Sequence, residues 1–508
     1  MNAFRNPGLW ADRLRVVVWA AMVLFVVAPH IVGFTTDSDA YLDVAANVAA
    51  GRGLVQTVVD FWRPAIPDPL GMWPPVYPLA VALATSAGVP LLIAGRLVAA
   101  LGFVAFALAF HALALRAGGR GFAFVTTFVV LLGPGLAQAG ATAWSESLYL
   151  FLLTLGLVGV ADLAGWRPAS PDPSRPVPDL GPGRAFLYGL ALGFAADTRY
   201  VGLASVPVAL VLLLGARVRG PRLWAWLAGV TLPIAAWLGH NLAAFGRPFG
   251  PGLPQGHAGL LEGLRGLASS ARWEFLPSSF AHLPWIAIPA LAGTLIALVW
   301  AIVRGGVPRL AAATALAQLG LILFAVWQAG INDVQGRFTL VAWPFVGLAL
   351  CAAVDAALAH AFGRTRSATL ARFAVSGLAL IIVGAGLGRF LGTHSMPPGQ
   401  TVARRHAQVA FLQQVRVKDA PILTDSGHLL RLTTGCAAVQ VPPPHYRVRE
   451  FTAEDEKRWR AQGVREALFR SDSRAMLGAY LAARTGGGAE GWAIEDSSAG
   501  YVRYRIAP

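Results

Sequence analysis

Two carboxylates, Asp37 and Asp39, stand two residues apart in the stretch TTDSDAYL, where the first long apolar run of the chain ends. Glu146 opens a later apolar run in TAWSESLYL, Arg199 interrupts another in ADTRYVGL, and Arg337 precedes a third in QGRFTLVAWPF. A carboxylate so placed can take or orient the proton of a hydroxyl. An arginine there can meet two phosphate oxygens with its planar fork. Ionisable side chains at the edge of apolar segments are costly, which makes them functional candidates. The plainer readings are an acid answering a helix dipole and an arginine snorkelling to an interface. Each residue alone fits those readings. Acids and arginines gathered on one side from well-separated segments are better explained by a shared site.

The segments that must position them are membrane passages. The 508 residues are 56% hydrophobic and 13% charged, with mean hydropathy +0.57, about half the charge of an ordinary soluble domain. Apolar runs long enough to cross a hydrocarbon core of about 30 Å recur along most of the length. The fold class is a polytopic α-helical membrane protein, and eleven passages are expected. The first covers about 16–34. Arg5, Arg13 and Arg15 before it place the N-terminus in the cytoplasm, and no small-residue cleavage site follows it, so no signal peptide is expected to be removed. Residues 35–76 form a long external loop. A short interfacial helix at 77–87 precedes a return helix at about 90–115. Passages follow at 121–141 and 147–164, then two short helices, 185–196 and 201–214, on either side of ADTRY. The rest lie near 223–241, 284–303, 310–329, 338–358 and 373–391, leaving external loops at 242–283 and 330–337.

Residues 1–391 thus form a membrane domain, and 392–508 a small external α/β domain. Its strands are expected at APILTD, GWAIED and YVRYRIA, and its helices at AEDEKRWRAQGV and SRAMLGAYLAAR. The net charge of +15 comes almost wholly from arginine, since Lys418 and Lys457 are the only lysines. Most arginines of the membrane domain sit in short loops, where they set orientation and give no sign of nucleic-acid binding. Cys351 lies in an apolar run and Cys436 in the polar tail, which argues against a disulfide or a cysteine metal cluster. His240, His257 and His282 face outward without the spacing of a metal site.

The external segments carry short motifs in a definite order. The first loop has Asp37, Tyr41 four residues on, then Ala45, Asn47, Gly51 and Gly53, then PPVYP at 74–78. SESL follows at 145–148 and RYVGL at 199–203. Asn241 precedes FGRP at 245–248, and Arg337 and Phe338 precede Pro344. This order resembles the GT-C fold of membrane glycosyltransferases that use a polyprenyl-phosphate sugar, over about residues 14–391. The nearest likeness is the group containing protein O-mannosyltransferases, the aminoarabinose transferase of lipid A and bacterial lipopolysaccharide-core galacturonosyltransferases. One departure stands out. The mannosyltransferases and the aminoarabinose transferase have Glu directly after the first acid. Here Ser38 follows Asp37 and the second carboxylate is Asp39, which points towards the glycolipid or polysaccharide branch.

The resemblance implies a hexosyl- or pentosyltransferase that inverts the sugar configuration, in a bacterial cytoplasmic membrane with the tail on the periplasmic side. A polyprenyl-phosphate-linked sugar is the donor. The acceptor is a hydroxyl of a glycan, lipid or protein of the cell envelope. Asp37 is then the catalytic base and Glu146 the second carboxylate. Asp39, Tyr41, Tyr77 and Tyr200 line the substrate, and Arg199 and Arg337 face the carrier phosphate, with Arg63 and Arg247 as weaker candidates. A hard divalent ion (magnesium, manganese or calcium) held by Asp37, Asp39 and Glu146 stays open, because some relatives use a metal and others do not. The apolar stripe at 41, 42, 44, 45, 48 and 49 marks a surface-lying amphipathic helix. It either shapes a groove for the polyprenyl chain or simply packs. The rival reading is a transporter or flippase of a lipid-linked saccharide, which should show repeat symmetry; the sequence has no internal repeat. A membrane scaffold with a partner-binding tail is the other rival.

Overall fold

A computed structural model of the chain describes residues 7–30, 36–60, 68–71, 73–166, 180–250, 260–275, 284–328, 336–363, 366–394, 422–424, 438–440, 453–462, 464–470, 492–498 and 501–506. The chain opens with α1 (Pro7–Val27) and a 3-10 turn (Ala28–His30). The first loop holds α2 (Thr36–Ala49) and three short strands, β1 (Val55–Gln56), β2 (Val58–Asp60) and β3 (Asp68–Pro69). Then come α3 (Val76–Ser86), α4 (Leu91–Ala117), α5 (Arg120–Leu131), α6 (Pro134–Ala141) and α7 (Glu146–Leu163). α8 (Pro182–Ala196) ends at Asp197, and a 3-10 turn (Tyr200–Ala204) leads into α9 (Ser205–Gly215). α10 (Pro221–Phe245), α11 (Leu260–Phe275), α12 (Pro284–Arg304) and α13 (Gly306–Gln328) follow. α14 (Gly336–Thr339), α15 (Trp343–Phe362) and α16 (Arg366–His394) complete the helical part.

The protein is mostly helical and multi-pass. Among the described residues five helices are long and apolar enough to cross a membrane, or six if α5 and α6 form one span. The single passage expected at 121–141 is those two helices, bent by 72° between them. The cause is local. Gly133 is extended (φ −56°, ψ 124°) because it precedes Pro134, and a residue before proline is pushed out of the helical region. The apolar segments at 76–86 and 200–215 are shorter than a span. The external loop expected at 242–283 contains α11, whose Leu260, Leu261 and Leu264 are exposed while Leu267 packs against Ile322 and Val326.

The core joins α4, α7, α8 and α10. Gly189 of α8 and Gly229 of α10 let these two helices touch: a Cβ on either would overlap a backbone carbonyl of the other helix, of Trp226 or Phe186 respectively. At the far end, Arg116 grips Asp162 through two hydrogen bonds of 2.7 and 3.0 Å, and Arg120 binds Asp12 at 2.7 Å. These pairs fasten α4 to α7 and α5 to α1.

The tail contributes β4 (Ile422–Thr424), β5 (Ala438–Gln440), α17 (Ala453–Ala461), β6 (Glu466–Arg470), β7 (Trp492–Ser498) and β8 (Tyr501–Ile506). The helix expected at SRAMLGAYLAAR lies outside the described residues. The sheet order is β2-β5-β4-β6-β8-β7, parallel from β2 to β6 and antiparallel through β8 and β7. Its edge strand β2 belongs to the first loop, so the loop and the tail share one sheet.

Candidate functional site

Asp37 and Asp39 lie in the first turn of α2, separated by about 200° around the helix. Asp37 shares a face with Tyr41, one turn on. Tyr41 is buried, and its hydroxyl lies 3.2 Å from Ser145 Oγ. Arg199 Nη1 donates to the same Oγ at 3.3 Å and meets Glu146 Oε1 at 2.6 Å. Three segments therefore converge: the α2 face bearing Asp37, the N-terminus of α7, and the break between α8 and the 200–204 turn. Glu146 faces two positive features, the guanidinium and the N-terminal end of its own helix. Asp39 lies on the face that carries Asp43, and both are buried.

A second ring supports the first. The Tyr200 hydroxyl accepts from Trp237 Nε1 (2.9 Å) and Asn241 Nδ2 (3.4 Å) and donates to the Gly71 carbonyl (3.3 Å). His240, stacked on Trp237, donates from Nε2 to the Leu70 carbonyl at 3.0 Å. The Val76 amide donates to the Asp197 carbonyl at 3.2 Å, tying the PPVYP turn to the helix break. Asp197 sits in that break and is only 5% exposed; burial pushes its carboxyl up to about 7.

Tyr77, expected to touch substrate, is completely buried. Its hydroxyl donates to the Gly95 carbonyl at 2.8 Å, and its ring packs edge-on against Tyr41. Its side chain is enclosed by protein in this structure, packed against Tyr41. Arg247 is exposed on the loop after α10. Arg337 lies in α14, and the structure describes its backbone alone. Arg63, His257 and His282 lie outside the described residues. One feature missed in the sequence lies deeper: Gln318 of α13, completely buried, donates to Tyr149 at 2.9 Å and to Ser205 at 3.2 Å. A single glutamine in the apolar run ATALAQLGLIL was its only sequence signal.

No family model matches the chain, and no curated protein matches it. Solved structures do. ArnT from Cupriavidus metallidurans in the apo state, an aminoarabinose transferase, is 16% identical over 97% of both chains with a TM-score of 0.59. ArnT bound to undecaprenyl phosphate gives 14% and 0.58 at the same coverage. The Archaeoglobus fulgidus oligosaccharyltransferase in complex with Zn and sulfate is 12% identical, over 97% of this chain and 73% of that one, with a TM-score of 0.55. The chain has the GT-C fold.

Within this GT-C fold a groove of about 1570 Å³ runs between α5, α12, α15 and α16. Leu136, Leu340 and Trp343 line one end, and Arg304 and His360 the other. Its first end lies beside α6 and the segment that follows Arg337.

An ion shared by Asp37, Asp39 and Glu146 would need the three carboxylates to converge. Among the described residues no three His, Cys, Asp or Glu side chains gather to hold a metal. Asp39 points away from the Asp37 face, and Glu146 already carries the Arg199 cation on Oε1. The donor set does not fit a shared ion.

Proposed function

We propose that the chain is a membrane glycosyltransferase that moves a hexosyl or pentosyl group from a polyprenyl-phosphate carrier to a hydroxyl of the cell envelope. The observation that carries this reading is the convergence of Glu146, Arg199, Ser145 and Tyr41 beside the Asp37 face of α2, within a fold whose solved examples include ArnT bound to undecaprenyl phosphate. An archaeal oligosaccharyltransferase of the same fold is known with an inhibitory peptide and a dolichol-phosphate. The flippase alternative gains no support from these structures.

In this reading the acceptor oxygen attacks the anomeric carbon from the face opposite the carrier. The carbon–oxygen bond to phosphate breaks, and polyprenyl phosphate leaves with the bonding pair. The acceptor proton passes to the Asp37 carboxylate, and the sugar configuration inverts. Glu146 holds Arg199, whose guanidinium has donors beyond Nη1 for the phosphate, where negative charge grows. Arg337, at the head of the groove, is a second phosphate partner. The groove between α5, α12, α15 and α16 takes the apolar carrier chain. The N-terminus is cytoplasmic, the site and residues 392–508 face the periplasm, and eleven apolar segments enter the membrane.

The test is transfer by the purified protein in nanodiscs. A panel of synthetic polyprenyl-phosphate sugars is offered with cell-envelope extract, and products are read by mass spectrometry. Sugar attached to an envelope hydroxyl supports the reading. Translocation of a lipid-linked saccharide without transfer supports the flippase.

A further inference from the structure

The helix that carries Asp37 is joined to the tail through one carboxylate. Asp43, 1% exposed, accepts from the Thr57 amide (2.7 Å), the Thr57 hydroxyl (2.6 Å) and the Val58 amide (3.2 Å). The Thr57 carbonyl accepts from the Ala438 amide of the tail at 3.3 Å. From there β2 runs parallel to β5, with Val58 opposite Ala438 and Asp60 opposite Gln440. Five tail strands stand behind this edge.

α2 is thus fixed from two sides. Its Tyr41 face meets Ser145, and its Asp43 face meets residues 57 and 58. Apolar packing of Leu42 and Ala45 near Tyr77 and Val81 also holds the helix, but an apolar stripe tolerates small slides and rotations. Three charge-assisted hydrogen bonds to one carboxylate specify register. Residues 55 and 56 pair with β3 inside the loop and Asn47 of α2 holds the Val55 carbonyl at 2.9 Å, but β2 is a three-residue strand, marginal unless a larger sheet receives it, so residues 58–60 depend on the tail for their place.

We propose that the tail sheet positions the catalytic helix: by receiving β2 it holds Thr57 and Val58 where Asp43 binds them, and so holds Asp37 and Tyr41 against Ser145 and Glu146. Asp43 is a positioning residue. The kinetic part rests on the transferase reading; the structural part does not.

The experiment uses the full chain. Ala438→Pro removes the amide that reaches Thr57. In a parallel ladder successive residues bond to opposite neighbours, so the bonds to β4 survive. Thr57→Val removes one donor to Asp43, and Thr57→Ser keeps it. Two readouts are taken: hydrogen exchange of the 36–49 amides, and kcat and KM for a synthetic polyprenyl-phosphate sugar. Both Ala438→Pro and Thr57→Val are expected to speed exchange in α2 and to lower kcat about tenfold or more with KM little changed, since small displacements of a reacting group are that costly. Thr57→Ser is expected to behave as wild type. Wild-type exchange and kcat in folded Ala438→Pro would overturn the proposal. If that variant does not fold, equal behaviour of Thr57→Val and Thr57→Ser would overturn it. If the wild type transfers no sugar, the exchange data still decide whether the tail holds α2.

Discussion

Arg199 Nη1 stands 2.6 Å from Glu146 Oε1, and the two side chains are 12% and 1% exposed. This ion pair fastens the N-terminus of α7 to the break after α8. It also gives both residues a structural part beside the chemical one.

The pair should couple strongly. Removing one partner of a buried ion pair leaves an uncompensated charge, at a cost of about 3–5 kcal/mol. Arg199→Ala is therefore expected to destabilise the protein more than the double variant Arg199→Ala/Glu146→Ala. Thermal unfolding in detergent of both single variants and the double variant measures this; a double-variant loss equal to the sum of the two single losses would show that the pair is not coupled.

Asp197 predicts a pH dependence. Its folded-state carboxyl is pushed up to about 7 from 3.8 by burial. Between these values the folded protein holds more protons than the unfolded chain, so this group's contribution to stability falls as pH rises from about 4 to about 7, then levels off. Asp197→Asn should flatten that slope and leave the protein more stable than wild type at pH 8. Unfolding midpoints across pH 4–8 test it, and an unchanged slope would refute the assignment.

The Tyr200 hydroxyl takes two donors and serves one carbonyl. Tyr200→Phe leaves Trp237 Nε1 and Asn241 Nδ2 without this acceptor, a loss of about 1–3 kcal/mol. A midpoint unchanged on denaturation would contradict the hub seen here. Gly71→Ala would press a Cβ on the Phe245 ring, which must shift to admit it.

The motif order made the site legible in particular places. Asp37, Tyr41, Glu146 and Arg199 lie in three short motifs, and the structure brings their segments together. The amphipathic stripe of α2 and the interruption at ADTRY were also visible, since periodicity and charge in an apolar run are local signals. Asp43 carries no motif that sets it apart in the sequence, because its partners at 57 and 58 are held by a strand pairing that joins Val58 to the distant Ala438. The burial of Tyr77 was not legible, because a PPVYP turn does not reveal which way its ring packs. The bend at Gly133–Pro134 was written in the sequence as a residue before proline, but the uninterrupted hydropathy of 121–141 masked it.

The groove makes a prediction about carrier length. Gly293 lines it, and a Cβ there meets no atom within 4 Å. Gly293→Phe therefore starts from open space at its Cβ and is expected to narrow the groove. KM for long-chain polyprenyl donors should rise while that for a short-chain analogue holds. An equal effect on both would remove the groove from donor binding.

The central claim is that Asp37 carries the proton transfer at this site. The most direct measurement is sugar transfer by Asp37→Asn and wild type from the same synthetic polyprenyl-phosphate donor, with donor binding measured in parallel. The account predicts a fall in kcat of at least about 100-fold with donor binding retained. Transfer at the wild-type rate by Asp37→Asn would contradict it.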